Sequence, residues 1–169
     1  MRLVTILLTA IIFAAMTSFT LTATLVVSSS SFKNNGIIPA KYSCEGEEVS
    51  PPLQITAVPS GAKSLVLIVH DPDAPKAGGF THWVMWNIDL NGRIPENFKG
   101  AVQGLNGTNK AGYKGMCPPS GTHHYHFKVY ALDTKLELDQ NTDKAGLENA
   151  MKGHIIAQGE LVGLYQKTK

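Results

Sequence analysis

Three short segments of the chain contain acidic side chains, histidines and a tyrosine that could act together. Asp71 and Asp73 lie within Asp-Pro-Asp-Ala-Pro, where two prolines restrict the backbone and hold both carboxylates on a rigid loop. His82 lies in the next segment, and His123 and Tyr125 lie in the third. Carboxylate, imidazole and phenol groups together can hold a small polar ligand through hydrogen bonds or carry out acid–base chemistry. Each segment also has a structural interpretation, as a turn that bonds its own amides or as a core histidine.

A glycine- and proline-rich segment, residues 112–121, comes directly before this third segment. Gly112 and Gly115 allow close approach to the backbone, and the amides of such a loop can point at an anion. Prolines stiffen the return of the loop. The pattern predicts one wall of an anion pocket, and a surface loop without a ligand is the alternative.

Metal binding and hydrolysis are weaker interpretations of the same residues. His124 and His126 share a strand face and could contribute to a Zn²⁺ or Cu²⁺ site, but the chain contains no HExxH or CxxC pattern. It also contains no Gly-x-Ser-x-Gly elbow, and prolines follow Cys117. We therefore predict no metal, no cofactor and no enzyme, with a weak hydrolase that uses the Asp and His side chains as an alternative.

The elements that must position these residues are mostly strands. Short β-branched runs bounded by turn residues predict four strands, at residues 64–70, 81–89, 124–133 and 155–165. In the third strand, alternation directs His123, Tyr125 and Phe127 to the core and the intervening residues to the wetter face. One helix is predicted between a cap at Asp143 and a stop at Gly153. The fold class is therefore all-β, or β-dominated, with one or two peripheral helices.

The N-terminus has the layout of a secretory signal peptide. A positive start at Arg2 precedes an apolar stretch, residues 3–15, and small residues follow. We predict a signal peptide over residues 1–23, with about residue 31 as the latest end, then a single domain over residues 32–169. The protein is accordingly expected to be periplasmic or secreted, and an uncleaved membrane anchor is the alternative because apolar character persists to Val27.

The charge of the chain limits the classes of partner that it can bind, and its cysteines bear on the redox state of its compartment. The formal net charge is +2 with no basic run, which excludes an electrostatic footprint for nucleic acid. The chain has two cysteines, Cys44 and Cys117, and an exported chain meets an oxidising compartment. A disulfide between them is expected, and two buried thiols are the alternative.

Taken together, these segments resemble the phosphatidylethanolamine-binding protein family, in its compact bacterial and archaeal branch, also described as Raf kinase inhibitor-like. The resemblance covers roughly residues 32–165 and rests on several motifs in the right order. The motifs lie at Tyr42-Ser43-Cys44-Glu45-Gly46, Ser50-Pro51-Pro52-Leu53, Asp71-Pro72-Asp73-Ala74-Pro75, His82-Trp83-Val84, Trp86-Asn87-Ile88, residues 112–121, His123-His124-Tyr125-His126-Phe127, Tyr130-Ala131-Leu132-Asp133, Ala150-Met151-Lys152-Gly153-His154 and Glu160-Leu161-Val162-Gly163.

The resemblance implies packed antiparallel sheets and a pocket for phosphate-like or carboxylate-like groups, including a phospholipid head group such as phosphoethanolamine. Carried over by position, the pocket is lined by Asp71, Asp73, His82, His123 and Tyr125, with amides from residues 112–121. We expect Asp71 to hold His82 or to bond a protonated ligand oxygen, because a bare carboxylate repels an anion. Family precedent allows a homodimer. A protein-interaction role, as a protease inhibitor or a secreted host-directed factor, is the alternative to a binding module for small anions.

Overall fold

The fold is built from two antiparallel-rich sheets and a single α-helix, as seen in a computed structural model that describes residues 23–168. The strands are β1 (Ala23–Thr24), β2 (Val26–Ser28), β3 (Gly36–Ile37), β4 (Leu53–Thr56), β5 (Ser64–Asp71), β6 (Phe80–Ile88), β7 (Arg93–Ile94), β8 (Val102–Gln103), β9 (Thr122–Leu132) and β10 (Ile155–Gln166). The helix is α1 (Lys144–Ala150), and a short 3-10 turn spans Ala40–Tyr42. The seven-stranded sheet has the order β1-β10-β9-β5-β6-β8, with β3 also on β10, and the smaller sheet has the order β2-β4-β7. The predicted all-β class is confirmed.

The main hydrophobic core lies between the two sheets. Alternate residues of the long strands point into it, including Leu67, Trp83 and Phe127, which are fully buried. Leu53 and Ile94 of the small sheet close the same core from the other side. The predicted face of β9 is correct, because its odd-numbered residues from His123 to Ala131 are buried and the intervening ones are exposed or half-buried.

A second hydrophobic cluster covers the other face of the large sheet. Val66 and Ile68 of β5 and Trp86 of β6 pack there against Leu147 and Met151 at the helix. Helix α1 begins at its predicted cap, since the Asp143 side chain accepts a hydrogen bond from the Gly146 amide. Burial on both faces explains why β5 is an unbroken apolar run rather than an alternating one.

The four predicted strands are confirmed as β5, β6, β9 and β10, each within a few residues of the expected bounds. Their register determines which loops meet. β5 pairs antiparallel with both β6 and β9, and its last residues, His70 and Asp71, lie opposite Thr81 and Phe80 on one side, while His70 lies opposite His126 on the other. The end of β5 and the beginnings of β6 and β9 therefore come together at one end of the sheet.

The chain enters the large sheet at the opposite end. Ala23 and Thr24 of β1 pair with Ala157 and Gln158 of β10, whereas Tyr165 of β10 pairs with His123 of β9. Leu25 and Val27 are buried in the main core, so the folded unit includes residues before 32, where the sequence analysis placed the start of the domain. The N-terminal part of the predicted signal peptide, up to residue 22, lies outside the described residues.

Cys44 and Cys117 form a disulfide. It ties the segment after the 3-10 turn to the loop that precedes β9, next to a bridge between Ser43 and Met116. Over residues 23–168, α1 falls well short of the length and apolar character that a membrane-crossing helix requires.

Candidate binding pocket

A cavity of about 350 Å³ opens where the end of β5 meets the beginnings of β6 and β9. Its lining is largely apolar, and Asp71, His82 and two lysines are among its polar residues. The lining residues are Asp71, Ala74, Pro75, Lys76, Phe80, His82, Thr108, Lys114, Gly115, Cys117, Pro118 and Pro119. This combination of an apolar wall and a few convergent polar groups is typical of a small-molecule site.

Asp71 is the last residue of β5 and is only 3% exposed. Its Oδ1 accepts hydrogen bonds from the amides of Asp73 and Ala74, at 2.9 and 3.1 Å. Its Oδ2 accepts from Nδ1 of His123 at 2.8 Å. Both carboxylate oxygens are thus occupied, and a rigid Asp–Pro turn fixes the carboxylate in place.

The expectation that Asp71 holds His82 is wrong, because Asp71 bonds His123 and His82 has another partner. Nδ1 of His82 lies 2.8 Å from the carbonyl oxygen of Lys114, and the Lys114 amide donates to the His82 carbonyl at the same distance. This pair of bonds joins β6 to the loop before β9. The ring of His82 also contacts Phe80 and Tyr125 edge-on, at centroid distances of 4.8 and 5.1 Å.

Burial decides the charge state of His82. Removal from water lowers its pKa to about 4, although its hydrogen bond to the Lys114 carbonyl and the negative charge of Asp71 act in the opposite direction. His82 is therefore neutral at pH 7.

The hydroxyl of Tyr125 is buried and has no hydrogen-bond partner among the described residues. Burial raises the pKa of Tyr125 well above its ordinary value, and the charge and closeness of the Asp71 carboxylate add to this effect, so the phenol keeps its proton. The contact with Asp71 does not have the geometry of a hydrogen bond. A buried hydroxyl without a partner is costly in a folded protein. Tyr125 does not itself line the cavity, but its ring contacts that of His82, which does.

Asp73 does not line the cavity. Its carboxylate is exposed and accepts from the amide and from Nδ1 of His124, at 2.8 and 2.7 Å. These hydrogen bonds lower the pKa of Asp73. Nδ1 of His126 faces Glu160 instead, at 2.8 Å, and within residues 23–168 no three His, Cys, Asp or Glu side chains come together as metal ligands.

Three amides of the loop at residues 112–121 are already used within the protein. The Gly112 amide donates to the Gly104 carbonyl and Gly112 does not line the cavity, while the Gly115 amide donates to Glu48. Since the Lys114 amide is used by His82, the expected set of ligand-facing amides is not available at these three positions. The physical reason is that the loop uses these donors to attach itself to its neighbours.

Several lining residues were missed by the sequence analysis. Phe80 is two residues before His82 in β6, so strand period places both on one face, and this signal was available. Lys76 and Thr108 come from loops without any periodic pattern, and only the folded chain brings them to the cavity. Cys117 also lines the cavity, and because its sulfur is in the disulfide it offers no thiolate.

Comparison with known proteins gives a consistent result over nearly the whole described region. Residues 28–166 match the family model described as phosphatidylethanolamine-binding protein. A UPF0098 protein of Pyrococcus abyssi is 53% identical over 154 residues, which covers 85% of this chain and 86% of the relative.

Two solved structures share the fold. A phosphatidylethanolamine-binding protein homologue from Chlamydia trachomatis has a TM-score of 0.82 and 43% identity, covering 85% of this chain and 98% of that one. YbcL from E. coli has a TM-score of 0.80 and 35% identity, covering 86% of this chain and all of the other. With its match to the family over residues 28–166, the chain belongs to the phosphatidylethanolamine-binding protein family.

Proposed function

We propose that this protein is an exported binding protein whose cavity holds a small anion of the phosphate or carboxylate type, free or as a phospholipid head group. The observation that carries the proposal is the buried, unpartnered hydroxyl of Tyr125, whose ring contacts His82 of the cavity lining and lies near Asp71. A ligand oxygen placed there would accept from this hydroxyl and remove the penalty of leaving it unpaired.

The charges around the cavity support an anionic ligand. Lys76 and Lys114 both line it, and Lys114 also pairs with Glu48. The carboxylate of Asp71, which would repel an anion, already accepts three N–H groups, including that of His123. These donors offset part of its charge, so a negative ligand meets a lining that is not simply acidic.

The apolar wall supports a ligand with a short organic part. Pro75, Phe80, Pro118 and Pro119 form a surface beside the polar lining residues. Prolines hold this wall rigid, which limits the ordering that a ligand must impose on binding.

An amide-resolved NMR titration tests this function. Inorganic phosphate and O-phosphoethanolamine are added to the protein that begins at Ala23, because this protein retains every residue of the two hydrophobic clusters described above. We expect saturable shifts at Asp71, His82, Lys114 and Tyr125. The absence of shifts at millimolar ligand would contradict the proposal and favour a protein partner instead.

A further inference from the structure

The positions of two protons limit which anions the cavity can accept. Nδ1 of His82 lies 2.8 Å from a backbone carbonyl oxygen, and a carbonyl can only accept a hydrogen bond. Nδ1 must therefore carry the proton. In a neutral imidazole this leaves Nε2 as a hydrogen-bond acceptor, and not as the donor that an anion would need.

The same reasoning applies to the neighbouring histidine. Oδ1 of Asp71 accepts from two backbone amides, and Oδ2 faces Nδ1 of His123 at 2.8 Å. As an acceptor on both oxygens, Asp71 requires the proton on Nδ1 of His123. Nε2 of His82 is thus an acceptor, the Asp71 carboxylate is already occupied by three N–H groups, and the Tyr125 hydroxyl beside them is a neutral donor.

The groups that face His82 keep it in the accepting form. Asp71 and His70 belong to β5, and Asp71 favours protonation of His82 while His70 opposes it. Tyr125 comes from β9, Lys76 and Lys114 come from the two loops, and the backbone of Lys114 and Gly115 also favours protonation of His82. Burial outweighs the favourable charge of Asp71, and the pKa of about 4 leaves His82 neutral across the physiological range.

Building on the anion-binding function proposed above, we propose that the cavity selects phosphate monoesters and inorganic phosphate over phosphodiesters, because only the former can donate a P–OH proton to Nε2 of His82. The remaining phosphate oxygens accept from the Tyr125 hydroxyl and from the lysines. A diester has no such proton, so its oxygens face the lone pair of His82 unless His82 itself becomes protonated. Protonation at pH 7 of a group with a pKa of about 4 is unfavourable by roughly a thousandfold.

The test compares methyl phosphate with dimethyl phosphate, which differ by one methyl group in place of one ionisable proton. Dissociation constants are measured by calorimetry or NMR at pH 6, 7 and 8 with the protein from Ala23. We expect methyl phosphate to bind at least tenfold more tightly at pH 6. Its affinity should fall by up to tenfold per pH unit above its second pKa of about 6, as the protonated monoanion disappears.

Each outcome has a distinct meaning. Equal affinities for the two ligands, or an affinity for methyl phosphate that rises with pH, would overturn the selection of monoesters and leave the anion-binding function standing. If neither ligand shifts the cavity amides at millimolar concentration, the proposed function fails and this inference fails with it. The diester also reports any general effect of histidine protonation, because such an effect acts on both ligands.

A variant locates the selectivity in one nitrogen. His82→Gln places an amide N–H donor near the position of Nε2, so the ratio of the two affinities should fall towards one, mainly through tighter binding of dimethyl phosphate.

His154→Gln is the matched control, because His154 is exposed and bonds Asp133 at the other end of the sheet. An unchanged ratio in folded His82→Gln, judged by NMR dispersion, would contradict the role of Nε2. If that variant does not fold, the ligand pair on the natural protein remains decisive.

Two further ligands distinguish the sources of a monoester. Binding to O-phosphoethanolamine without binding to vesicles that contain phosphatidic acid identifies a soluble monoester, and sedimentation with those vesicles identifies a lipid. Both results support the selection. Sedimentation with phosphatidylethanolamine vesicles alone would overturn it, since that head group is a diester.

Discussion

We expect the hydroxyl of Tyr125 to contribute to ligand binding and not to the stability of the fold. Most buried polar atoms in a folded protein have a partner, and the exceptions concentrate where a ligand supplies one. Tyr165 offers the opposite case in the same protein. It is equally buried, but its hydroxyl accepts from Ser43 and donates to Glu45.

Tyr125→Phe should therefore leave the free energy of unfolding unchanged or raise it by up to about 1 kcal/mol, while phosphate affinity falls roughly five- to tenfold. Tyr165→Phe should lower the free energy of unfolding by about 1–2 kcal/mol, because Ser43 and Glu45 lose their partner. Denaturant unfolding and the phosphate titration measure both quantities. A destabilised Tyr125→Phe protein with unchanged affinity would show that the hydroxyl has a structural role.

His82 makes stability depend on pH in a defined window. The unfolded chain regains the ordinary pKa of 6.5, whereas the folded protein keeps the value of about 4. Below pH 6.5 the unfolded state binds a proton that the folded state does not, so stability falls as the pH drops towards 4. The loss attributable to His82 amounts to about 3 kcal/mol at the lower end.

Denaturant unfolding between pH 7 and pH 4 checks this expectation. His70 contributes in the same direction, because burial lowers its pKa as well. His82→Gln should remove part of the slope and His154→Gln should not. A slope that is identical in His82→Gln and in the natural protein would contradict the assignment.

At the scale of elements, the disulfide and the loop at residues 112–121 act as one unit. The loop supplies Lys114, Cys117, Pro118 and Pro119 to the cavity and holds Nδ1 of His82 through the Lys114 carbonyl. The disulfide attaches this loop to the segment around Cys44, where the Cys44 amide also donates to Met116. The disulfide therefore helps to hold both the wall of the cavity and the ring of His82 in place.

Reduction of the disulfide should lower the free energy of unfolding by about 4 kcal/mol, because the bond closes a loop with a sequence separation of 73 residues. Phosphate affinity should fall as well, since the loop can then move. Chemical unfolding with and without reductant measures the first effect, and the Cys44→Ser, Cys117→Ser double variant is the independent check. An unchanged unfolding midpoint in both cases would contradict this role.

The elements that the sequence predicts correctly are those with a long periodic or apolar pattern. β5, β6, β9, β10 and α1 carry such patterns or a clear cap, whereas the two-residue strands β3, β7 and β8 are too short to show any. β1 and β2 escaped prediction for another reason. Their apolar residues continue the composition of the predicted leader, and only the buried positions of Leu25 and Val27 reveal a core role.

In the candidate site, too, some features could be predicted from the sequence and others could not. Asp71, His82, His123 and Tyr125 were chosen from their types and order, and the structure brings them together. Their partners were not predictable, because the bond from Asp71 to His123 depends on how the end of β5 meets the start of β9. The contributions of Lys76 and Thr108 depend on loop paths that no local pattern encodes.

For the whole molecule, the first strands bear on where the proposed leader would end. Leu25 is 3% exposed and Val27 is 8% exposed, and Gly159 of β10 gives β1 room to approach, since a Cβ there would lie 2.3 Å from the Leu25 carbonyl oxygen. Cleavage near Ala23 preserves these contacts, and cleavage near residue 31 removes them. We therefore propose that a leader, where one is removed, is cut near Ala23 rather than near residue 31.

A protein that begins at Phe32 should be less stable than one that begins at Ala23 by about 3 kcal/mol or more, because two apolar side chains are lost from the core. Thermal and denaturant unfolding of the two proteins measure the difference. Mass spectrometry of the exported protein should find an N-terminus close to residue 23. Equal stability of the two forms would contradict this role of β1 and β2.

The two ends of β10 have a practical consequence. β1 joins it at Ala157 and Gln158, while Tyr165 lies beside His123 at the cavity end, about 23 Å further along at roughly 3.3 Å per residue. A molecule fixed to a sensor chip through a tag ahead of Ala23 would present its cavity to the flowing solution. By the same geometry, a form retained in a bilayer by its leader would sample solutes of the surrounding compartment rather than the lipids that hold it.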